Sequence, residues 1–329
     1  MSVFVMAAGK GTRLAPLTDV LPKPAIPVAN EPVMGRLLRL LARQGFQRVV
    51  CNIAYKADVM ERVFGDGTAY GIDIVWSRET QPLGTSGGMK FAEQELRSGD
   101  EPVVVLSGDG LHDIDVAALL REHRESDALV TIALTRVDDP SEYGVAVIDD
   151  TGRITGFQEK PAAHDAASNL ANTGIYVINP EVFDRLPAAG AFSDFGSEVF
   201  PSMLADGHHI RGVEISGYWN DVGGLDALRR GNLDVVSGVL ADEHPVDLSG
   251  DQHLIHPAAD VGVDVTLLGT CVVGPGATIG AGAHIADSVV LPGAHIPAGA
   301  VLAAGIFGDA AALGTWADNL GSNTALTAG

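Results

Sequence analysis

The chain has 329 residues, 46% of them apolar, enough for one large domain and one small one around a substantial core. Its formal charge of −21 argues against nucleic acid as a partner, because the whole surface repels phosphate, and it makes any local group of Lys and Arg informative. No apolar run approaches the ~20 residues that span a bilayer, and the first residues lack the basic-then-apolar layout of an export signal, so no membrane partner and a cytoplasmic location are expected. Cys51 and Cys271 lie far apart inside apolar stretches and read as buried free thiols, which suits a reducing compartment.

Taken in chain order, short apolar β-prone runs occur at Val3–Met6, Arg48–Ile53, Ile72–Trp76, Val103–Ser107 and Leu129–Leu134. A helix is expected between the first two, with Asn30 as N-cap, Val33, Leu37, Leu38 and Leu41 at helical spacing, and Gly45 as its left-handed end. Asp115–Arg124 reads as a second amphipathic helix. Such alternation predicts a mostly parallel sheet covered on both faces, with ligands bound outside the carboxyl ends of its strands. The loop after the first run and Gly108–Asp109 both lie at such ends. Further strands are expected at Gly144–Ile148, Ile154–Phe157 and Ile175–Ile178, a helix at 222–237, and a polar linker about Asp242–Gly250.

Beyond the linker the texture changes. Ile255, Val261, Leu267, Val273, Ile279 and Ile285 recur every six residues; one step of five leads to Val290, and six-residue steps resume to Ile296 and Leu302. This period, with small residues between, predicts about three coils of parallel β-helix, too few to be stable without packing on the first domain or on another subunit. The phase is lost from about 309, and the Ser/Thr/Ala/Gly-rich end is expected to be disordered. His253, His256, His284 and His295 in the coils read as surface or interface residues.

The opening stretch "VFVMAAGKGTRLAPLT" places a small, basic, glycine-punctuated loop directly after a strand. Gly9 and Gly11 let backbone approach a ligand, their N–H groups with that of Thr12 suit an anion, and Arg13 presents a fork for phosphate oxygens. Lys23, between Pro22 and Pro24, is a partly pre-positioned charge. The P-loop pattern is absent. The dinucleotide fingerprint fails at Leu14, which argues against a dehydrogenase.

"AAGKGTRLAPLTDVLPKPAIPVANEPVM" resembles the opening of sugar-1-phosphate nucleotidyltransferases. The likeness continues through "QPLGTSG", "LSGDGL", "YGVAVID", "GFQEKP", "NTGIYVINPEVF" and "WNDVGG", and the hexapeptide tail also occurs in that family. The resemblance implies an α/β fold: a Rossmann-like mixed-sheet catalytic domain over 1–238, a linker over 239–252, a short left-handed parallel β-helix over 253–308 and a tail over 309–329. It also implies transfer of a nucleoside monophosphate from an NTP to a sugar or cyclitol 1-phosphate, with release of pyrophosphate.

That reaction needs no general base, since a phosphomonoester is already largely a dianion at neutral pH. The difficulty is bringing two polyanions together, so charge neutralisation and positioning carry the catalysis. By resemblance, Arg13 and Lys23 bind the β- and γ-phosphates, and Asp109 and Asp221 hold Mg²⁺. Ala7, Ala8, Gly9, Gly11 and Thr12 form one wall for the nucleotide; Gln81 and the backbone of Leu83, Gly84 and Thr85 face the base. Lys160 neutralises the sugar phosphate, Glu159 and the Gly144 backbone bind sugar hydroxyls, and Asn172 and Thr173 line the same pocket. The Pro-Leu-Gly-Thr run favours GTP, as in mannose-1-phosphate guanylyltransferases, while Gln81 is more like the base-reading glutamine of thymidylyltransferases. Thymidylyl, uridylyl and adenylyl transfer therefore stay open. After Asp221 many members carry Gly-Thr-Pro, whereas here the residues are Gly223, Gly224 and Leu225. A non-catalytic NDP-sugar-binding subunit is the alternative of another class, and such proteins are expected to lose a ligand that this chain keeps. A homo-oligomer, with the β-helix as contact surface, is expected.

Overall fold

The computed structural model describes residues 2–240 and 252–322. Nine strands form one mixed sheet: β1 (Ser2–Met6), β2 (Arg48–Ile53), β3 (Asp73–Arg78), β4 (Val103–Ser107), β5 (Val130–Arg136), β6 (Gly144–Ile148), β7 (Ile154–Glu159), β8 (Leu170–Ile178) and β9 (Ile210–Glu214). The order along its main path is β7-β6-β8-β4-β1-β2-β3, with β5 on β8 and β9 on β5. β4, β1, β2 and β3 run parallel, and β8 is antiparallel to β4, β5 and β6. Successive side chains of β1 serve opposite cores: Val3 and Val5 join Leu37, Leu41 and Val104 on one face, and Phe4 joins Val105, Phe183 and Phe200 on the other.

The carboxyl ends of β1, β2, β3 and β4 fall at Met6, Ile53, Arg78 and Ser107, so the loops that follow all open on one edge of the sheet. In β8 the pairing with β5 shifts register between Asn172 and Tyr176, with Gly174 at φ 75°. This bulge turns Asn172, Thr173 and Gly174 towards the same edge. A two-stranded ribbon, Leu111–His112 against Trp219–Asn220, brings the chain just after Asp109 beside the chain just before Asp221.

The expected helix after the opening loop spans Val33–Arg43 but is capped by Pro32, not Asn30. Asn30 instead sits at φ 65°, and its side-chain amide donates to the Val273 carbonyl at 3.2 Å, tying the first domain to the coils. The last helix of this domain spans Leu225–Val236, three residues shorter at its start than expected, because Asp221–Gly224 forms a turn of its own.

The six-residue repeat forms three parallel sheets. Ile255, Val273, Val290 and Phe307 align in one; Val261, Ile279 and Ile296 in the second; Leu267, Ile285 and Leu302 in the third. Val272, Val289 and Leu291 join the core of the first domain, so the coils are packed on it as their small number required. Both cysteines are free and buried. The expectation of a disordered tail is corrected over its described part: Ala310–Ser322 is a helix, with Leu313, Trp316 and Ala317 buried in the same core and Arg62 paired to Asp318 at 2.9 Å, while 323–329 lie outside the described residues. Composition hid it, because its few aliphatic residues are spaced for a helix face and not for the hexapeptide phase. The expected linker lies mostly outside the described residues. No described helix is long and apolar enough to cross a membrane.

His112, on the ribbon, is buried; its Nδ1 accepts weakly from the Ile114 N–H at 3.4 Å, and its Nε2 has no partner. Burial pushes its pKa from 6.5 down to about 4. The unfolded chain thus binds a proton between these values that the native state refuses, and stability falls as pH drops through this window. Going from pH 7 to pH 5 costs about 2 kcal/mol at this one group. Urea denaturation of wild type and His112→Gln at the two pH values checks this: the variant is expected to show the smaller loss.

Candidate active site

Several loops and the β8 bulge converge on a cleft of about 320 Å³. Arg13, Lys23, Asp109, Asp221, Gly144, Glu159, Lys160, Asn172, Thr173 and Thr85 all line it. Lys23 lies at its floor, almost fully buried, with its Nζ 2.7 Å from Asp109 Oδ2 and donating to the Asp221 carbonyl at 2.9 Å. Arg13 is exposed at the rim, 3.8 Å from Asp221 Oδ2 and 3.6 Å from Glu142. Segments almost two hundred residues apart in sequence thus meet at one ammonium group.

Each acid has one oxygen in a hydrogen bond and the other beside a basic side chain. Asp109 Oδ1 accepts from the Ser107 hydroxyl at 2.5 Å, and Asp221 Oδ1 accepts from the Gly223 N–H at 3.0 Å. Both Oδ2 atoms face the basic side chains of the cleft. A Cβ on Gly223 would sit 2.4 Å from Asp221 Oδ2, so the glycine leaves room for the carboxylate while its N–H holds the other oxygen.

The opposite wall is built by β6 and β7, where Gly144 pairs with Glu159. A Cβ on Gly144 would stand 2.8 Å from Glu159 Oε2, so the glycine makes room for the carboxylate. Lys160, at φ 44°, pairs with its neighbour Glu159 at 3.3 Å, and both side chains are mostly solvent-exposed. Trp219 packs edge-on against Tyr143, with centroids 5.5 Å apart, and its indole N–H donates to the Thr173 carbonyl at 3.2 Å.

Two threonine hydroxyls of the lining are committed to the fold. The Thr173 hydroxyl donates to the Ala133 carbonyl at 2.8 Å, so its side chain is spent on the bulge. The Thr85 hydroxyl donates to Asp194 and accepts from the Phe195 N–H, both at 2.8 Å, so it fastens the 80s loop to the turn at 195. Ala7, Ala8, Gly9, Gly11, Thr12, Gln81, Leu83 and Gly84 flank this cleft without lining it. Ala7, Ala8 and Leu83 are buried, Gly11 is left-handed at φ 65°, and Gln81 is exposed.

Sequence reasoning missed Ser107, Glu142, Tyr143, Asp194 and Trp219 in the lining. Asp194 carried a readable signal, since Asp before Gly196 and Ser197 is a capping pattern, and its Oδ1 accepts from both N–H groups. The others lie within two residues of Asp109, Gly144 or Asp221 in sequence, and the fold turns them into the same cleft.

A model of the nucleotidyl transferase family matches residues 2–238, well over half of the chain, and one described as the GMPPB C-terminal domain matches 250–326. The chain belongs to the sugar-1-phosphate nucleotidyltransferases. A mannose-1-phosphate guanylyltransferase of Mycobacterium tuberculosis is 38% identical over 88% of this chain and 79% of its own length. A UTP–glucose-1-phosphate uridylyltransferase of Synechocystis is 33% identical over 88% and 82%. Among solved structures, HddC from Yersinia pseudotuberculosis, complexed with GMP-PN, superposes with a TM-score of 0.61 at 24% identity, covering 71% of this chain and 99% of that one, and supports the fold. The enzyme thus transfers a nucleotidyl group to a sugar 1-phosphate.

The Gly144→Ala variant of this nucleotidyltransferase is expected to fold, since the obstructed atom is the mobile end of a side chain. Its crystal structure should show the Glu159 carboxylate turned away from residue 144; an unmoved carboxylate would refute the steric account.

Proposed function

We propose that this nucleotidyltransferase transfers guanylyl from GTP to mannose 1-phosphate, with Mg²⁺ held by Asp109 and Asp221. The observation that carries the site assignment is the meeting of Lys23, Asp109, Asp221 and Arg13 at one edge of the sheet. The choice of base and sugar is supported by the relative from M. tuberculosis and by the Pro82-Leu83-Gly84-Thr85 run.

The residues present fit the metal. Two carboxylates on the cleft, with their Oδ2 atoms beside Lys23 and Arg13, supply the hard oxygen donors that Mg²⁺ takes from a protein, with phosphate and water filling the rest. No group of three or more His, Cys, Asp and Glu side chains suited to a metal occurs among the described residues, so the donor set is that of a substrate-completed site. When bound, the ion lowers the negative charge that the α-phosphate presents to its attacker.

A phosphate oxygen of the sugar 1-phosphate attacks the α-phosphorus. The bond from that phosphorus to the α,β-bridging oxygen breaks, and pyrophosphate leaves with the electron pair. Arg13 at the rim and Lys23 at the floor offset the charge of the departing group. Lys160 offsets that of the acceptor phosphate. Glu159 accepts from sugar hydroxyls, a geometry that Gly144 keeps open. Asn172 and the Thr173 backbone complete the acceptor wall.

A panel of NTPs against hexose 1-phosphates with Mg²⁺, read by pyrophosphate release, tests the pair. GTP with mannose 1-phosphate is expected to give the highest kcat/KM, and a higher value for another pair would overturn the substrate assignment. Asp109→Ala and Asp221→Ala should each lower kcat at least ~10²-fold, the loss typical of a major electrostatic element.

A further inference from the structure

A buried relay lies behind the nucleotide side of the cleft, at the ends of β2 and β3. The Ala7 N–H donates to Asn52 Oδ1 at 2.8 Å, Asn52 Nδ2 donates to Glu79 Oε1 at 2.7 Å, and the Leu83 N–H donates to Glu79 Oε2 at 2.9 Å. Asn52 and Glu79 are 2% and 4% exposed, and neither lines the cleft. The Glu79 N–H is itself fixed on the Ile53 carbonyl at 2.8 Å. Helix Thr85–Phe91 rests on the pair at Gly88, where a Cβ would fall 2.4 Å from Asn52 Nδ2 and 2.6 Å from Glu79 Oε1.

The polarity of this relay is dictated from both ends. Ala7 and Leu83 present backbone N–H groups, which cannot be inverted, so the Asn52 oxygen must face Ala7 and its NH₂ must face Glu79. Three donors then need three acceptors, and residue 79 must accept on both oxygens. Only a carboxylate does this; a carboxamide offers one acceptor and turns a donor against a donor. Burial raises the Glu79 pKa, opposed by its hydrogen bonds from Asn52 and Leu83. A buried carboxylate is costly to maintain, and here it joins two loops that do not otherwise share a strand.

We propose that Asn52 and Glu79 are positioning residues that fix the spacing between the Ala7–Thr12 wall and the Gln81–Thr85 wall, and through it the discrimination between nucleobases. This rests on reading those two segments as the walls of the nucleotide site. Neither residue touches substrate. Both act by holding the main chain on the two sides of the slot, so their effect falls on the nucleotide and not on the acceptor sugar.

The test uses the full-length enzyme, with folding checked by thermal melts, and measures KM for both substrates and the ratio of kcat/KM for the preferred NTP over the next best. For Glu79→Gln and Asn52→Ala, the NTP KM is expected to rise about tenfold and the NTP preference to fall at least threefold, with the sugar 1-phosphate KM within twofold. Gly88→Ala displaces the pair without deleting a hydrogen-bonding group; it should give the same pattern and serves where a relay variant fails to fold. Unchanged NTP KM and preference in a folded variant would overturn the proposal, as would both KM values rising together, the mark of general loosening. Ala8→Leu and Gln81→Ala separate the two levels. If these alter NTP binding while Glu79→Gln does not, only the positioning role falls. If they too leave it unchanged, the reading of the walls falls and the proposal with it.

Discussion

The buried ammonium of Lys23 is the contact around which the cleft is organised. It joins the segment after the opening loop to the end of β4 through Asp109 and to the ribbon through the Asp221 carbonyl. Two carboxylates at the mouth of a protein carrying −21 would repel each other and any phosphate. A cation at the floor and another at the rim offset the charge of these two acids. Acidity elsewhere also limits where a polyanion can settle.

That arrangement depends on stiff supports. Met6, Arg78 and Ser107 end parallel strands, so the loops leaving them share an edge by topology and not by individual attraction. The ribbon between Leu111–His112 and Trp219–Asn220 then clamps the last acid beside the first. The β-helix adds a brace from below: Arg229 donates to the Asp287 carbonyl at 3.1 Å, and Asn30 to that of Val273. Helix Ala310–Ser322 returns from the last coil and buries Leu313 and Trp316 against the first domain. The coils and the catalytic sheet therefore share a core.

Glycine near the cleft marks places where a carboxylate needs room. Gly144 makes space for Glu159, and Gly223 for Asp221. The same reasoning applies at a distance in Gly88, packed on Asn52 and Glu79. In each case the missing side chain is explained by a neighbour's oxygen, a contact that only the folded chain creates.

Much of this was legible in the sequence. Strand–helix alternation announced the sheet and the six-residue period announced the coils; Arg13 and Lys23 stood out as basic residues beside glycine and proline in an acidic chain, whereas Asp109, Asp221, Glu159 and Lys160 were marked by the resemblance to the nucleotidyltransferases. The helix at 310–322 was not legible, because a low-complexity segment gains its order from the surface it packs on. Nor were the committed hydroxyls of Thr85 and Thr173, whose partners Asp194 and Ala133 lie 109 and 40 residues away. By itself the sequence determined periodicity, charge and the identity of the basic and acidic residues, since these are local properties of the chain. Tertiary structure alone decided which partner each carboxylate oxygen takes, and that Asn52 and Glu79 stand together between the Ala7 and Leu83 N–H groups, because such pairings are set by strand order.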